Sequence, residues 1–152
     1  MITGCAQNNK QWNGKHFAVA LTYDERTFAY TCGNYEAEGS SFKDFIGEHF
    51  IGARDVVSEL NYLSNTELTS IHCFPRNGET GNQLIDIVNH GMEEGALVVF
   101  LFHGVGGEHN LNVELKAYHE LLQYLNSIDN DVWVAPLVNV ANYIKSNRLS
   151  NE

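Results

Sequence analysis

His103 directly follows a run of seven apolar residues, 96–102, and precedes a glycine-rich loop at residues 104–107. An imidazole side chain changes its charge near neutral pH, where it can donate or accept a proton. The glycines that follow allow a ligand to approach the backbone closely. This combination predicts that His103 is the principal chemical group of the chain.

Three other kinds of site also use glycine-rich or histidine-containing loops. A phosphate cradle is disfavoured because residues 104–107 lack the full Gly-x-Gly-x-x-Gly and Gly-x-x-x-x-Gly-Lys spacings. An esterase oxyanion loop would require a Gly-x-Ser-x-Gly nucleophile turn, which the chain does not contain. A zinc site could use His103 together with His109, but the sequence shows no third ligand at a matching spacing.

Other polar and aromatic groups also follow predicted strands. Ligands of parallel α/β proteins bind at the carboxyl ends of the strands. We therefore expect functional groups among the side chains in those positions. They are Asp24, residues 30–33, Arg54, His103 and residues 133–136.

The hydrophobic pattern predicts alternating strands and helices. Residues 96–102, bounded by glycines, give the strongest strand signal and are expected to be central, and Gly95 is expected to end the preceding helix. Alternation of buried strands with amphipathic helices indicates an α/β fold with a parallel sheet and right-handed crossovers, either barrel-like or open. Strands are predicted at 17–24, 27–30, 50–54, 68–74, 96–102 and 132–136, and helices at 42–46, 84–92, 113–125 and 138–144.

Length and composition indicate one globular domain. The chain has 152 residues, 43% of them hydrophobic and only 18% charged. Its 19 acidic and 9 basic residues give a net charge of −10, which argues against nucleic-acid or anionic membrane partners. The charge is compatible with a neutral carbohydrate or a cationic amino sugar, and no apolar run is long enough to span a membrane.

The three cysteines, at positions 5, 32 and 73, have no Cys-x-x-Cys spacing and indicate neither a disulfide framework nor a cysteine zinc site. We expect Cys32 and Cys73 to be buried free thiols. Residues 2–5 are similar to a bacterial lipobox, in which the cysteine is lipidated, although the apolar part of a signal peptide is missing. Residues 1–15 are therefore predicted to be a polar tether, either a remnant of a lipoprotein signal or a chance match.

Three segments together resemble motifs of the polysaccharide deacetylases, the NodB-homology carbohydrate esterases. They are Ala-Val-Ala-Leu-Thr-Tyr-Asp at 18–24, Arg-Thr-Phe-Ala-Tyr-Thr-Cys-Gly at 26–33 and Val-Val-Phe-Leu-Phe-His-Gly at 98–104. Residues 132–136 and 140–144 resemble the C-terminal end of that family, so the resemblance runs from about residue 26 to residue 145. It is greatest to bacterial lipoprotein members, which implies an extracytoplasmic location.

The resemblance implies a (β/α) barrel that removes acetyl groups from acetylated sugars. A divalent metal, usually zinc, would polarise the acyl carbonyl and activate water. Asp24 matches the family's general base, and Glu25 stands at the position of a metal ligand. Leu101 and His103 match the Leu-x-His motif, whose histidine is the general acid.

The same resemblance implies a substrate-binding role for several residues. Residues 30–33 are similar to a Tyr-Pro-x-Gly turn that lines the groove, with Tyr30, Cys32 and Gly33 in its positions and Thr31 in place of proline. Arg54 resembles an arginine found shortly after that turn. Trp133, with Tyr30 and Tyr35, could offer aromatic faces to sugar rings, or these rings could instead be core residues.

One family motif is absent. The His-x-x-x-His metal motif should lie between Asp24 and the turn at 30–33, but Asp24 is followed almost at once by Arg26. Glu25 could equally be the residue that precedes Arg26 in the family. The histidines at 49, 72, 90 and 119 do not show the required pair spacing. The chain therefore looks like an internally shortened deacetylase.

Two functional hypotheses follow. The first is a shortened deacetylase-like domain, residues 16–147, acting on an acetylated polysaccharide or oligosaccharide. The second is a carbohydrate-binding or scaffold protein that has kept the fold without catalysis. Since missing strands leave open sheet edges, a homodimer is also predicted.

Overall fold

The computed structural model describes residues 11–21, 27–107 and 109–149. Eight strands and four α-helices are formed within these ranges. In chain order the elements are β1 (Phe17–Leu21), β2 (Thr27–Ala29), a short 3-10 turn (Thr31–Gly33), β3 (Glu36–Ala37), β4 (Ser40–Ser41), α1 (Lys43–His49), β5 (Gly52–Arg54), β6 (Phe74–Arg76), α2 (Gly81–Glu94), β7 (Leu97–Phe102), α3 (Leu115–Ser127), β8 (Val132–Val134) and α4 (Leu137–Leu149).

A four-stranded sheet with the order β6-β7-β1-β8 forms the centre of the molecule. All three pairings in it are parallel, with Leu21 opposite Phe100 and Arg76 opposite Phe102. Residues 17–20 of β1 and 97–101 of β7 are all buried. Because alternate side chains of a strand point to opposite faces, both faces of the sheet are covered. This confirms the predicted α/β class and the central position of β7.

Helices pack on this sheet through small and aliphatic residues. α2 contacts β1 and β7, α3 contacts α2, and α4 contacts β1. α2 begins with a capping box, in which the Thr80 side chain accepts from Gln83 N and the Gln83 side chain accepts from Thr80 N. It ends at Gly95, whose φ of 62° is left-handed, as the sequence predicts.

Residues 11–15, expected to belong to the tether, contact the domain. Trp12 is fully buried, and its Nε1 donates to Gly95 O over 2.8 Å. Gln11 Nε2 donates to the same carbonyl over 2.6 Å, and Tyr143 OH donates to Gln11 O over 2.8 Å. The start of the described chain therefore holds the end of α2 against α4, and residues 1–10 lie outside the described part.

A smaller parallel sheet, β2-β5, adjoins the central one. A single bridge between Arg54 and Ile71 joins β5 to the segment that leads into β6. Of the strand predicted at 68–74, only Phe74 lies in a strand, β6, and the rest of the prediction is wrong. The His72 backbone bonds to the Asn61 side chain instead of a neighbouring strand. Strands β3 and β4 form a separate antiparallel hairpin.

Among the described residues, no helix is both long enough and apolar enough to cross a membrane. The predicted domain limits at 16 and 147 and the predicted homodimer stay predictions.

Gly91 of α2 tests how tightly this helix packs on the sheet. A Cβ atom at Gly91 would lie 2.3 Å from Val98 Cγ2, in the buried part of β7. We expect Gly91→Ala to lower the free energy of unfolding by about 1–3 kcal/mol, measured by urea denaturation, because the added methyl group overpacks the core. Combined with Val98→Ala, the loss should be smaller than the sum of the two single losses. If Gly91→Ala instead raised the free energy of unfolding by about 1 kcal/mol, as helix propensity alone would, the contact between α2 and β7 would have adjusted to the added methyl group.

Candidate functional site

Strands β1 and β7, which precede the two predicted catalytic segments in the sequence, end at the same edge of the central sheet. β7 ends at Phe102, and His103 follows it with an exposed side chain. β1 is the parallel neighbour of β7, so the chain leaves both strands at the same edge. Asp24 and Glu25, which follow β1 in the sequence, lie outside the described residues. The edge at which ligands bind in parallel α/β proteins therefore includes His103.

His103 lies beside a second imidazole. The His103 and His109 ring centroids are 5.4 Å apart, and the ring planes are inclined by 14°. His109 Nδ1 lies 3.0 Å from Leu111 N and 3.1 Å from Leu111 O, so the loop backbone orients this ring. Both imidazoles are exposed, and either could exchange a proton with a ligand.

Two asparagines hold the loops around His103. Asn112 N donates to Asn77 Oδ1 over 3.0 Å, and Gly78 N donates to Asn112 O over 2.9 Å. Asn112 Oδ1 also accepts from Gly107 N over 2.9 Å. Gly107 has a φ of 124°, a conformation that other residues rarely adopt. The glycine-rich segment is therefore tied to the loop after β6 rather than free to extend.

Arg76 is a charged residue at this edge that the strand prediction missed. Arg76 is the last residue of β6 and lies opposite Phe102, the residue that directly precedes His103. Its Nη1 is 3.2 Å from Glu79 Oε1, while its buried Nε has no hydrogen-bond partner among the described residues. Extending the predicted strand from residue 74 to residue 76 would have revealed it, since the same strand-end rule selected His103.

Tyr30 is a core residue of a small aromatic cluster. Its side chain is 2% exposed and packs against Phe28, Tyr35 and Phe42. Its hydroxyl donates to Thr69 O over 2.9 Å. Burial raises the pKa of Tyr30, with further contributions from the negative charges of Glu67 and Asp55. Its ring therefore supports the turn at 31–33 and is not available to stack on a sugar.

The turn after Tyr30 is exposed, and the expected burial of Cys32 is wrong. Cys32 has a left-handed φ of 54° within the 3-10 turn, which points it to solvent, and it is a free thiol. Gly33, with a φ of 72°, allows Val56 to pack against the turn, because a Cβ atom there would lie 2.5 Å from Val56 Cγ2. Gly33 N donates to Tyr30 O, so this N–H closes the turn instead of facing a ligand.

Arg54 ends β5 and lies in the smaller sheet with Tyr30. Tyr30 N donates to Arg54 O over 3.1 Å, and the Arg54 guanidinium lies 3.6 Å from Cys73 Sγ. Cys73 is buried as expected, and burial raises the pKa of its thiol despite the nearby Arg54 charge. Arg54 and Tyr30 are thus brought together, but in a different sheet from His103.

Trp133 lies in the middle of β8, at the side of the sheet away from β6. Its half-buried ring meets Tyr143 edge-on, with ring centroids 5.3 Å apart. One side of Trp133 lines a groove of about 390 Å³ between β8 and the end of α3. Trp133 is therefore partly a packing residue and is not adjacent to β7.

The described residues do not by themselves supply the ligand set of a catalytic zinc ion. Such an ion needs three protein ligands and one open position. His103 and His109 supply two imidazoles, and no group of three or more histidine, cysteine or acidic side chains in the described ranges could hold a metal. Glu25, the predicted ligand, lies outside these ranges. We therefore derive no chemical step through a metal from these residues.

The chain matches no protein-family model, no curated protein and no solved structure. The resemblance to polysaccharide deacetylases therefore stays a prediction from the motifs at residues 18–24, 26–33 and 98–104.

The raised pKa of Tyr30 predicts a pH dependence of stability. The folded state keeps the phenol neutral, whereas the unfolded chain ionises near its ordinary pKa of 10. The stability from this group is therefore complete below about pH 10 and is lost as the pH rises toward the folded-state pKa. We expect the free energy of unfolding, from urea denaturation, to fall more steeply between about pH 9 and pH 11 in the wild type than in Tyr30→Phe.

Tyr30→Phe should also be less stable by about 1 kcal/mol at neutral pH, because Thr69 O loses its donor. Tyr35→Phe, which removes an exposed hydroxyl, is the control and should follow the wild-type curve. If the free energy of unfolding fell equally steeply with pH in the wild type and in Tyr30→Phe, the assignment of this pH dependence to Tyr30 would be contradicted.

Proposed function

We propose that this chain is a shortened polysaccharide-deacetylase-like protein that hydrolyses acetyl groups of an acetylated polysaccharide or oligosaccharide. The observation that supports this most is the parallel pairing of β1 with β7. These strands lead into Asp24 and His103, so the predicted base and acid follow neighbouring strands at one edge of the sheet. Under this proposal the central sheet and the β2-β5 sheet form part of a (β/α) barrel.

The proposed chemistry is proton transfer during acyl hydrolysis. Asp24 accepts a proton from the water that adds to the acetyl carbon. His103 donates a proton to the sugar nitrogen or oxygen as its bond to the acetyl carbon breaks, releasing acetate. The exposed position of His103 and the tied glycine loop beside it leave room for a polymeric substrate.

The remaining predictions belong to the same proposal. The cofactor is a divalent metal, zinc first, with Glu25 as one ligand. The predicted substrate-binding residues are Tyr30, Cys32, Gly33, Arg54 and Trp133, of which Tyr30 is a buried support and Trp133 lines a separate groove beside β8. From the lipobox-like residues 2–5 we propose a bacterial lipoprotein outside the cytoplasm. The net charge of −10 is compatible with a neutral or cationic saccharide as the ligand.

Acetate release from acetylated xylan and chitin oligomers tests the proposal. We expect zinc-supplemented wild type to release acetate and His103→Ala to be slower by about 10²–10⁴-fold, because the leaving group loses its proton donor. His119→Ala, an exposed histidine on α3, is the matched control and should retain the full rate. Absence of acetate release by the wild type, or equal loss in both variants, would refute the proposed chemistry.

A second function, saccharide binding without catalysis, is favoured by one observation. The described residues at the edge provide two imidazoles and no third metal-ligating side chain beside them. Calorimetric zinc titration separates the two functions. The enzyme predicts zinc binding that Glu25→Gln weakens by at least about tenfold, whereas the binding protein predicts saccharide affinity that zinc leaves unchanged.

A further inference from the structure

A second recess lies at the other end of the central sheet from His103. Its wall is the segment 59–62, in which Asn61 forms an antiparallel bridge with Leu97, the first residue of β7. Asn61 N donates to Leu97 O, and Leu97 N donates to Asn61 O. His103 follows the last residue of the same strand, so it is separated from Leu97 by about 20 Å of extended chain.

Two cavities adjoin along this wall. One has a volume of about 330 Å³ and the other of about 310 Å³, and both are lined by Glu59, Leu60 and Tyr62. The first continues to Ser70 and His72, and the second to Ser58, Phe74 and His90. We call the two cavities together the 59–62 cleft. Each is within the size range of small-molecule sites.

A buried carboxylate orients the imidazole in this cleft. Asp55 is 5% exposed, and its Oδ2 lies 3.0 Å from both His72 Nδ1 and Ser70 Oγ. Its Oδ1 accepts from Val57 N over 3.0 Å. Because a carboxylate accepts hydrogen bonds, we assign a proton to His72 Nδ1, which leaves Nε2 to form a hydrogen bond with a ligand. The His72 side chain is 34% exposed and lines the cleft.

The lining determines the class of ligand. The first cavity is lined mainly by polar side chains, which include the amide of Asn65 and the carboxylates of Glu59 and Glu67. No lysine or arginine lines either cavity, and Lys43, which donates to Ser70 Oγ over 3.1 Å, is already 4.0 Å from Glu67 Oε2. The carboxylates of Glu59 and Glu67 therefore disfavour an anionic ligand. Tyr62, 39% exposed and shared by both cavities, offers a ring face to the C–H surface of a sugar. Hydroxyl groups suit the amides, carboxylates and Nε2, whereas a purely apolar ligand would leave them without partners.

We propose that the 59–62 cleft is a second saccharide-binding site, which binds a neutral or amino-substituted sugar chain. Tyr62 stacks on one sugar ring, and His72 Nε2 forms a hydrogen bond with a sugar hydroxyl. This site is independent of acyl hydrolysis at His103. It would hold a polymer at one end of the sheet while the other end carries the chemistry.

Heteronuclear NMR titration of the full chain tests the cleft with three probes. Xylotriose is neutral, the glucosamine trisaccharide is cationic, and glucose 6-phosphate is anionic. We expect at least one of the trisaccharides to bind and to shift amide signals of residues 59–72, and glucose 6-phosphate to bind more weakly than that trisaccharide. Tyr62→Ala should weaken that affinity by about tenfold, the loss expected for one stacked ring. His72→Gln should also weaken it.

Phe45→Ala is the matched control, because Phe45 is an aromatic residue of α1 that is 60% exposed and lies outside both cavities. It should bind the trisaccharide like the wild type, and the location of the shifted amide signals separates this site from the proposed catalytic edge. Thermal unfolding of each variant verifies that it is folded. The proposal is overturned if no trisaccharide binds up to about 10 mM, if Tyr62→Ala binds as the wild type does, or if the shifts map to residues 103–113.

Discussion

The parallel pairing of β1 with β7 is the interaction on which the rest of the structure depends. It joins the start of the described chain to a strand about 80 residues later, with Ala18 opposite Leu97 and Leu21 opposite Phe100. Both strands are buried on two faces, so the pairing excludes water from their backbone hydrogen bonds and from the side chains on each side. Helices α2 and α4 pack against this pair, and β6 and β8 extend it at either side.

Asp55 forms a second, polar centre. Its carboxylate would be costly to bury alone, but Val57 N, Ser70 Oγ and His72 Nδ1 surround it at 3.0 Å. Through these bonds the end of β5 is attached to the segment that enters β6, and the smaller sheet is held against the larger one. The same network orients His72 toward the 59–62 cleft. One buried acid thereby serves both the fold and a candidate binding surface.

Hydrophobic pattern predicted most of the elements because burial on both faces leaves an unbroken apolar run. Residues 96–102 became β7, and Gly95 ended α2 with the left-handed conformation that glycine favours. The pattern was less informative at 68–74, which mixes polar residues with apolar and β-branched ones. There the side chains of Asn61 and Asp55 bind His72 and Ser70, and such contacts depend on distant residues that a local window does not include.

The sequence by itself determined the α/β class, the central strand and the position of His103 at its end, since these follow from local hydrophobicity and glycine conformation. Only the tertiary structure decided that β1 lies next to β7, that Tyr30 is a buried support, and that His109 lies beside His103. It also decided that Asp55 and His72, 17 residues apart, form a hydrogen-bonded pair at a cleft. The physical reason is that strand order and side-chain pairing are set by packing over the whole chain, whereas propensity and periodicity act within one element.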